Sequence, residues 1–583
     1  MDNKEIAKIL NEIGIYLEMD GISFKPRAYE KAAEAIFSLD EDLKEIYRKG
    51  GLKALEEIPG VGVSIAEKIE ELLKTGKSKY HQRLKKKMPV QVAELTAIEG
   101  VGPKHVKALY KKLKIKNLKD LEKAAKAEKI RKLPGFGTKS EENILKGIEF
   151  LKKSGNRFVL GFVMPRIREI ESRLKRLKEV KKLVIAGSVR RRKETIGDVD
   201  ILVVAKNSRK SSFAKATADE IRISDYFVAM PEVAHVYAHG DTKSAVKLRN
   251  GLDVDVRVVP EESYGAALNY FTGSKDHNIE LRKIAIENGW KLSEYGLFKG
   301  KKQVAGRTEE GLYKKLGLRY IEPELREMAG EIEASRAGKL PDLIGYGDLR
   351  GDLQVQTNWT DGADSIEDMT KEAIALGLEY IAITDHTKRL AMTGGLDGKK
   401  IKKQWLEIDR LNKRYKGKIK ILKGTECDVL KDGSMDLPNE ILAKCDVVGA
   451  SVHSLFNLSK KDQTERIKRA MNNPHVDIIF HPTGRVINKR DAYQVDMDEL
   501  ISHSRKTKTV MEINAYPDRL DLKDEHIRKC VEAGVKMSID SDAHTTSHMR
   551  FLEYGIAQAR RGWSEKKDII NAWPLEKMLK MLK

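Results

Sequence analysis

Apolar residues recur along this chain in distinct rhythms, and the rhythm changes twice. Over residues 1–150 they fall at helical spacing, broken by short glycine turns. Three turns share one form: Ile58-Pro-Gly-Val-Gly62, Ile98-Glu-Gly-Val-Gly102 and Leu133-Pro-Gly-Phe-Gly137. From about residue 156, strand-like runs appear at Leu183–Ala186, Val199–Ala205 and Leu252–Val259, separated by helical stretches, which predicts a mixed α/β unit. The polar, Ser/Lys/Ala-rich stretch 206–224 reads as a mobile surface insertion. Residues 320–347 contain Pro323, Pro341, Gly345 and Gly347 and read as a linker. Beyond it, runs at Ile381–Thr384, Ile419–Leu422, Val447–Ser451, Val476–Phe480, Val510–Ile513 and Val535–Ile539 alternate with helices. That alternation predicts a parallel barrel, and nearly every run ends in His, Asp or Glu, where barrel enzymes place their chemistry.

Charge adds a partner to this picture. The 583 residues hold 110 Lys and Arg against 88 Asp and Glu, a net +22 that attracts polyanions and makes such binding salt-dependent. No uninterrupted apolar run reaches the roughly 18 residues of a membrane span, and charges interrupt the N-terminal amphipathic pattern where a signal peptide would be apolar. A cytoplasmic protein is expected, as a monomer, with no membrane partner. Cys427, Cys445 and Cys530 show no CxxC spacing and read as buried thiols of a reducing compartment. Alternation along a strand points Cys427 away from the face of Glu426.

A helix entered through G-x-G leaves backbone N–H groups free to hold a phosphate without reading a base. Gly60, Gly62, Gly100, Gly102, Gly135 and Gly137 are the candidate contacts, with Lys68, Lys104 and Lys107 nearby. The three turns resemble helix-hairpin-helix DNA-binding motifs.

The densest signal is Gly187-Ser-Val-Arg-Arg-Arg-Lys-Glu-Thr-Ile-Gly-Asp-Val-Asp200. Asp198 and Asp200 stand two apart on a strand and face one way. Gly187, Ser188 and Gly197 sit in tight turns that let backbone approach phosphates, and Arg191 can neutralise a triphosphate. A third acid is needed for a two-metal transfer, and Asp255, mid-strand in GLDVDVRVV, supplies it. G-S-x-R-R, G-D-x-D and D-x-R together resemble the nucleotidyltransferase superfamily, and most closely the family X DNA polymerases. Tyr270-Phe-Thr-Gly-Ser-Lys-Asp-His-Asn278 and Arg282 strengthen the resemblance, which covers residues 1 to about 320. It implies that Tyr270 and Phe271 pack beside the incoming sugar, that Gly273 belongs to the same nucleotide-binding site, that Asn278 touches the base edge and that Arg282 meets the template. It also implies Mg²⁺ or Mn²⁺ at Asp198, Asp200 and Asp255, with dNTPs and gapped or primer-template DNA as partners. In lyase-active members a lysine at the place of Lys68 forms a Schiff base with an abasic sugar. Here Ser64 stands where those relatives often carry another lysine.

Residues 346–583 resemble the PHP domain fused to many prokaryotic family X enzymes. Asp361, His386, Glu426, His453, His481, Asp542 and His544 suit a Zn²⁺ or Mn²⁺ cluster. Glu426, His453 and His481 would hold one ion, and Asp361, His386 and His544 another. The family's opening H-x-H is replaced by Gln354 and Gln356, which are poorer ligands than imidazole. Metal binding with weak or lost 3′→5′ exonuclease activity follows.

The expected chain is multidomain α and α/β. It has an N-terminal helical DNA-binding, lyase-like domain (1–88), a fingers-like domain with two helix-hairpin-helix motifs (89–154) and a nucleotidyltransferase palm (155–260). A thumb (261–320), a linker (321–345) and a PHP distorted (β/α) barrel (346–583) follow. The expected activity is short gap filling in DNA repair. The rivals are a silent DNA-end scaffold, opposed by the three carboxylates, and transfer to another acceptor such as RNA, opposed by the three glycine turns.

Overall fold

The computed structural model describes all residues except 2, 23–24, 38, 40–41, 97, 99–100, 154–156, 210–214, 391–392 and 583. Among the described residues no helix is long and apolar enough to cross a membrane. One apolar cluster runs from Ile6 to Ile148, so the N-terminal helices share a continuous core. The glycine turns open the helices Val63–Thr75, Pro103–Leu113 and Thr138–Lys153.

A five-stranded sheet follows, ordered Val180–Ile185, Asp198–Ala205, Asp253–Val258, Lys243–Leu248, Val233–His239. The strand Asp198–Ala205 runs antiparallel to its first neighbour and parallel to Asp253–Val258. Both faces of that strand are buried, which its unbroken apolar run dictates. Val199, Ile201 and Val203 join a core with the helix Leu160–Lys175, while Leu202 packs with Ala267 and Leu268 of the helix Tyr264–Thr272. Period-2 alternation puts Asp198 and Asp200 on the face of Leu202, at the end reached by Tyr270 and Phe271.

Two segments differ from their sequence reading. Within 206–224, residues 210–214 lie outside the described residues, but Ala218–Val228 is a helix. Thr217 and Glu220 form its capping box, and buried Ile223 anchors it to the sheet core. The stretch 320–347 is not a loose tether: Ile321, Leu325 and Ile332 enter the same core as Leu281, Leu297 and Leu312. Its prolines and glycines punctuate a packed segment.

The C-terminal unit is a nearly closed barrel of seven parallel strands in chain order. They are Gly351–Val355, Tyr380–Ile383, Lys420–Asp428, Val447–Ser451, Ile478–Ile479, Val510–Asn514 and Met537–Asp540. The first and last meet through a Val355–Ala543 bridge and through Leu353 N–H, which donates to Asp540 at 2.9 Å.

Candidate active site and metal centre

Register brings the central carboxylates together. Asp198 pairs with Asp253 and Asp200 with Asp255 across two parallel strands. Burial, together with the charges of Asp198 and Asp255, pushes Asp200 up to about 6. Burial also raises Asp255, although Lys243 and Arg257 oppose it. Three like charges on one face fit a divalent cation, which would relieve their repulsion. Asp253 is occupied instead by Lys247 at 2.8 Å.

A cavity of about 570 Å³ opens beside this face. Gly187, Ser188, Arg191, Gly197, Asp198, Asp200, Tyr270, Phe271, Gly273, Asn278 and Arg282 all line it, whereas Asp255 does not. Gly187 has φ +61°, and a Cβ there would stand 2.6 Å from the Asp200 carboxylate. Only glycine lets the turn pass so close to that acid. Tyr270 and Phe271 meet edge to face, and the Arg257 guanidinium lies 4.5 Å from the Phe271 ring centre. The Asn278 amide donates to the Tyr270 carbonyl at 2.8 Å, so its orientation is preset. Arg191 donates to Glu327 at 2.9 Å and to the Thr272 carbonyl. Arg157, Lys193 and Lys275 also line the cavity and were missed from sequence. Lys275 adjoins the Tyr-Phe-Thr-Gly-Ser motif and Lys193 lies within the Gly187–Asp200 motif, so both were findable there, but Arg157 carries no motif signal.

At the glycine turns, Gly60 and Gly135 have φ +78° and +84°. Gly62 and Gly102 are helix N-caps without a side-chain partner, leaving amides directed outward. Gly137 precedes the third helix, and Gly100 lies outside the described residues. Lys107 is already bonded to the Met19 carbonyl at 2.6 Å. Lys68 donates to Ser64 O and Oγ at 2.8 and 3.0 Å and lies 5.2 Å from the Tyr80 ring centre. Burial lowers its pKa, with Glu67 and Glu71 opposing.

In the barrel, the ligand atoms of Asp361, His386 and His544 lie within 4.8 Å of one another, as do those of His386, Glu426 and His453. His481 Nε2 is 2.9 Å from Glu426, yet His386 rather than His481 completes the second group among the described residues. His453 bridges Glu426 at 3.1 Å and Asp428 at 3.4 Å. These carboxylates overcome its burial and hold its pKa up to about 9. Mixed imidazole and carboxylate donors fit Zn²⁺ or Mn²⁺, and the buried Oδ1 of Asp361 has no hydrogen-bond partner among the described residues. The glutamine side fits a metal poorly. Gln356 Nε2 donates to Glu426 at 2.7 Å, and Gln354 accepts from Asn514 at 3.2 Å. Asp542 is held by Asn514 at 3.1 Å and by Arg519 at 3.4 Å, so a guanidinium supplies positive charge there. Arg519, on the loop after Asn514, was missed from sequence. Cys427 and Cys530 belong to the barrel's apolar core, and burial pushes both thiols up to about 12.

Comparison with known proteins matches each unit separately. Models of the DNA polymerase beta palm and thumb match residues 165–231 and 267–327. A helix-hairpin-helix domain matches 1–78, a SAM-like helix-hairpin-helix tandem 92–149, and a PHP domain 352–573. The chain is 37% identical over 588 residues to the "DNA polymerase/3'-5' exonuclease PolX" of Bacillus subtilis (strain 168), covering 100% of both chains. It is 27% identical over 349 residues to rat DNA polymerase lambda, 56% of each chain. A probable phosphatase of Thermoanaerobacter sp. (strain X514) is 29% identical over 194 residues, 31% of this chain and 73% of that one.

Proposed function

The chain belongs to the family X DNA polymerases, with the PolX of Bacillus subtilis as a relative over its full length, and on that premise we propose that it fills short gaps during DNA repair, as a cytoplasmic monomer. The observation that carries this reading is the register of Asp200 against Asp255, beside a cavity lined by Gly187, Arg191 and Tyr270. Asp198, Asp200 and Asp255 would hold Mg²⁺ or Mn²⁺. Such ions, when bound, stabilise charge on the transferring phosphoryl group and make the primer 3′-hydroxyl easier to deprotonate. Ser188 and the backbone of the Gly187 turn bind the triphosphate, and Arg191 neutralises it. Tyr270 and Phe271 wall the sugar, and Asn278 presents its amide to the base edge. Arg282 meets the template strand. The glycine turns grip backbone phosphates without reading sequence, which suits an enzyme that must work at any gap.

Lys68 is the candidate nucleophile of a 5′-deoxyribose phosphate lyase, supported by an amine that burial makes easier to deprotonate. For the barrel we infer one occupied metal region on the side of Asp361, His386, Glu426, His453 and His544. The poor fit beside Gln354 and Gln356 supports weak or lost 3′→5′ exonuclease activity. The working boundaries are 1–88, 89–154, 155–260, 261–320, 321–345 and 346–583. Primer extension on gapped DNA, run beside the same reaction with an RNA acceptor, tests the reading: equal extension of both acceptors would refute it.

A further inference from the structure

The barrel grips the segment that joins the Gly187 turn to Asp198. Arg485 binds Glu194 through both terminal guanidinium nitrogens at 3.1 and 2.5 Å, and Gln558 donates to the same carboxylate at 2.7 Å. Arg561 lies deeper, its side chain only 3% exposed. It donates to the Arg191 carbonyl at 3.1 Å, lies 3.3 Å from Glu327 and pairs with Asp524. Glu327 therefore faces three cations: Arg191 at 2.9 Å, Arg561 at 3.3 Å and Lys193 at 3.5 Å. Burial alone would raise the Glu327 carboxyl, but Arg561, Lys193 and Arg191 together hold it lowered.

We propose that Arg561 is a positioning residue for the polymerase nucleotide pocket: it fixes the Arg191 backbone and shares Glu327, leaving Arg191 able to meet a triphosphate. The two effects act together. The hydrogen bond to the Arg191 carbonyl anchors the turn after Ser188, so the cation and the phosphate-binding amides keep one geometry. Sharing Glu327 limits how far that carboxylate neutralises Arg191. Without Arg561, Glu327 turns wholly to Arg191 and Lys193 and competes with the incoming triphosphate. The proposal rests on Arg191 being a triphosphate ligand.

The test uses full-length protein, Mg²⁺ and single-nucleotide insertion into a one-nucleotide gap, with KM for dNTP and kcat measured separately. Arg561→Ala should raise KM about tenfold while kcat and DNA affinity stay within about threefold, the pattern of lost ground-state binding. Arg561→Lys should recover part of the loss. Arg191→Ala serves as the reference and should raise KM by more. An unchanged KM in Arg561→Ala beside a raised KM in Arg191→Ala overturns the positioning role and leaves the pocket standing. An unchanged KM in both overturns the pocket assignment and this proposal with it. If Arg561→Ala does not fold, Asp524→Asn loosens Arg561 from its other partner at constant volume. A smaller KM rise is expected there, and none would overturn the proposal. A fall in melting temperature and kcat with no change in KM would make the contact structural only.

Discussion

Replacing Gly187 by alanine adds one methyl group at the tightest of the three glycines that line the proposed polymerase site. The residue sits at φ +61°, where an L side chain costs roughly 1–2 kcal/mol. Its new Cβ would meet Asp200 Oδ2 at 2.6 Å, well inside contact distance, and the carboxylate carbon at 3.5 Å. Asp200 must therefore rotate or the turn must back away by several tenths of an ångström. Neither movement is free. The turn is pinned by the Ala186 N–H, which donates to the Asp200 carbonyl at 2.7 Å, and by Lys193 N–H on the Ser188 carbonyl at 3.0 Å. Asp200 is flanked by Asp198 and Asp255, towards which a rotation would bring more repulsion. We expect Gly187→Ala to lose about 2–3 kcal/mol of stability, from backbone strain plus the contact. Insertion should slow by about a hundredfold, because displaced ligands misplace the reacting groups. Single-turnover insertion on gapped DNA measures the second quantity and thermal unfolding the first, while a DNA-binding titration should match wild type. A variant that inserts within about threefold of the wild-type rate would show that the turn does not set the position of Asp200.

Asp255→Ala should leave DNA binding intact and reduce extension by several orders of magnitude, since metal coordination supplies several kcal/mol to the transition state. Extension near the wild-type rate would remove Asp255 from the site. Glu309 is buried, yet Arg326 and Arg190 hold it down from 4.5 to about 2. The unfolded chain thus takes up this proton first. The contribution is complete above pH 4.5, fades as pH falls from 4.5 towards 2, and sums to roughly 3 kcal/mol; Glu309→Gln should flatten that part of the acid unfolding curve, and an unchanged slope would refute the linkage. In the barrel, elemental analysis of protein purified without chelator should find a transition metal, with weak Mn²⁺-supported digestion of 3′-ends that rises in Gln354→His/Gln356→His. A metal-free barrel, or robust wild-type digestion abolished by His453→Ala, would refute this reading. Borohydride should trap Lys68 on a 5′-deoxyribose phosphate end; a wild-type enzyme that binds this end but gives no adduct would reduce Lys68 to a phosphate contact.

Much of the carboxylate face was legible because its pattern is local in sequence. Asp198 and Asp200 stand two apart in a run that must be a strand, and the next such run carries Asp255 at the same register. The unread elements lack that local signal. The strand Val233–His239 is an edge whose residues after Val233 are all exposed, so no apolar alternation marks it. Gly351–Val355 is a barrel strand holding two apolar side chains among Gly351, Asp352 and Gln354, and its polar side chains hide its period. Ile321, Leu325 and Ile332 were masked by prolines and glycines that suggest a tether. The pairing of Glu194 with Arg485 spans 291 residues, and nothing in either neighbourhood points to the other. Arg519 was illegible for a similar reason: its meaning comes from Asp542, which reaches it only after the barrel closes.

The barrel and the polymerase core are therefore joined by more than a chain connection. Leu520 and Tyr554 of the barrel belong to the same apolar cluster as Leu160 and Val163, and Trp563 joins the cluster of Leu281 and Leu312. Gly161 approaches so closely that a Cβ there would meet Pro517 at 2.6 Å. Packing of this kind and metal-assisted hydrolysis make different physical demands. Hydrolysis needs a ligand set that can activate water, and two glutamines at the opening of the barrel weaken it. Packing needs only shape, and the pairs made by Arg485, Gln558 and Arg561 involve no metal ligand. Substitutions at Gln354 and Gln356 are therefore expected to change the proposed digestion of DNA ends without disturbing the surface on which the Gly187–Asp198 segment rests. Arg561, at the end of the helix Leu552–Arg561, reaches the polymerase core and belongs to neither candidate metal group.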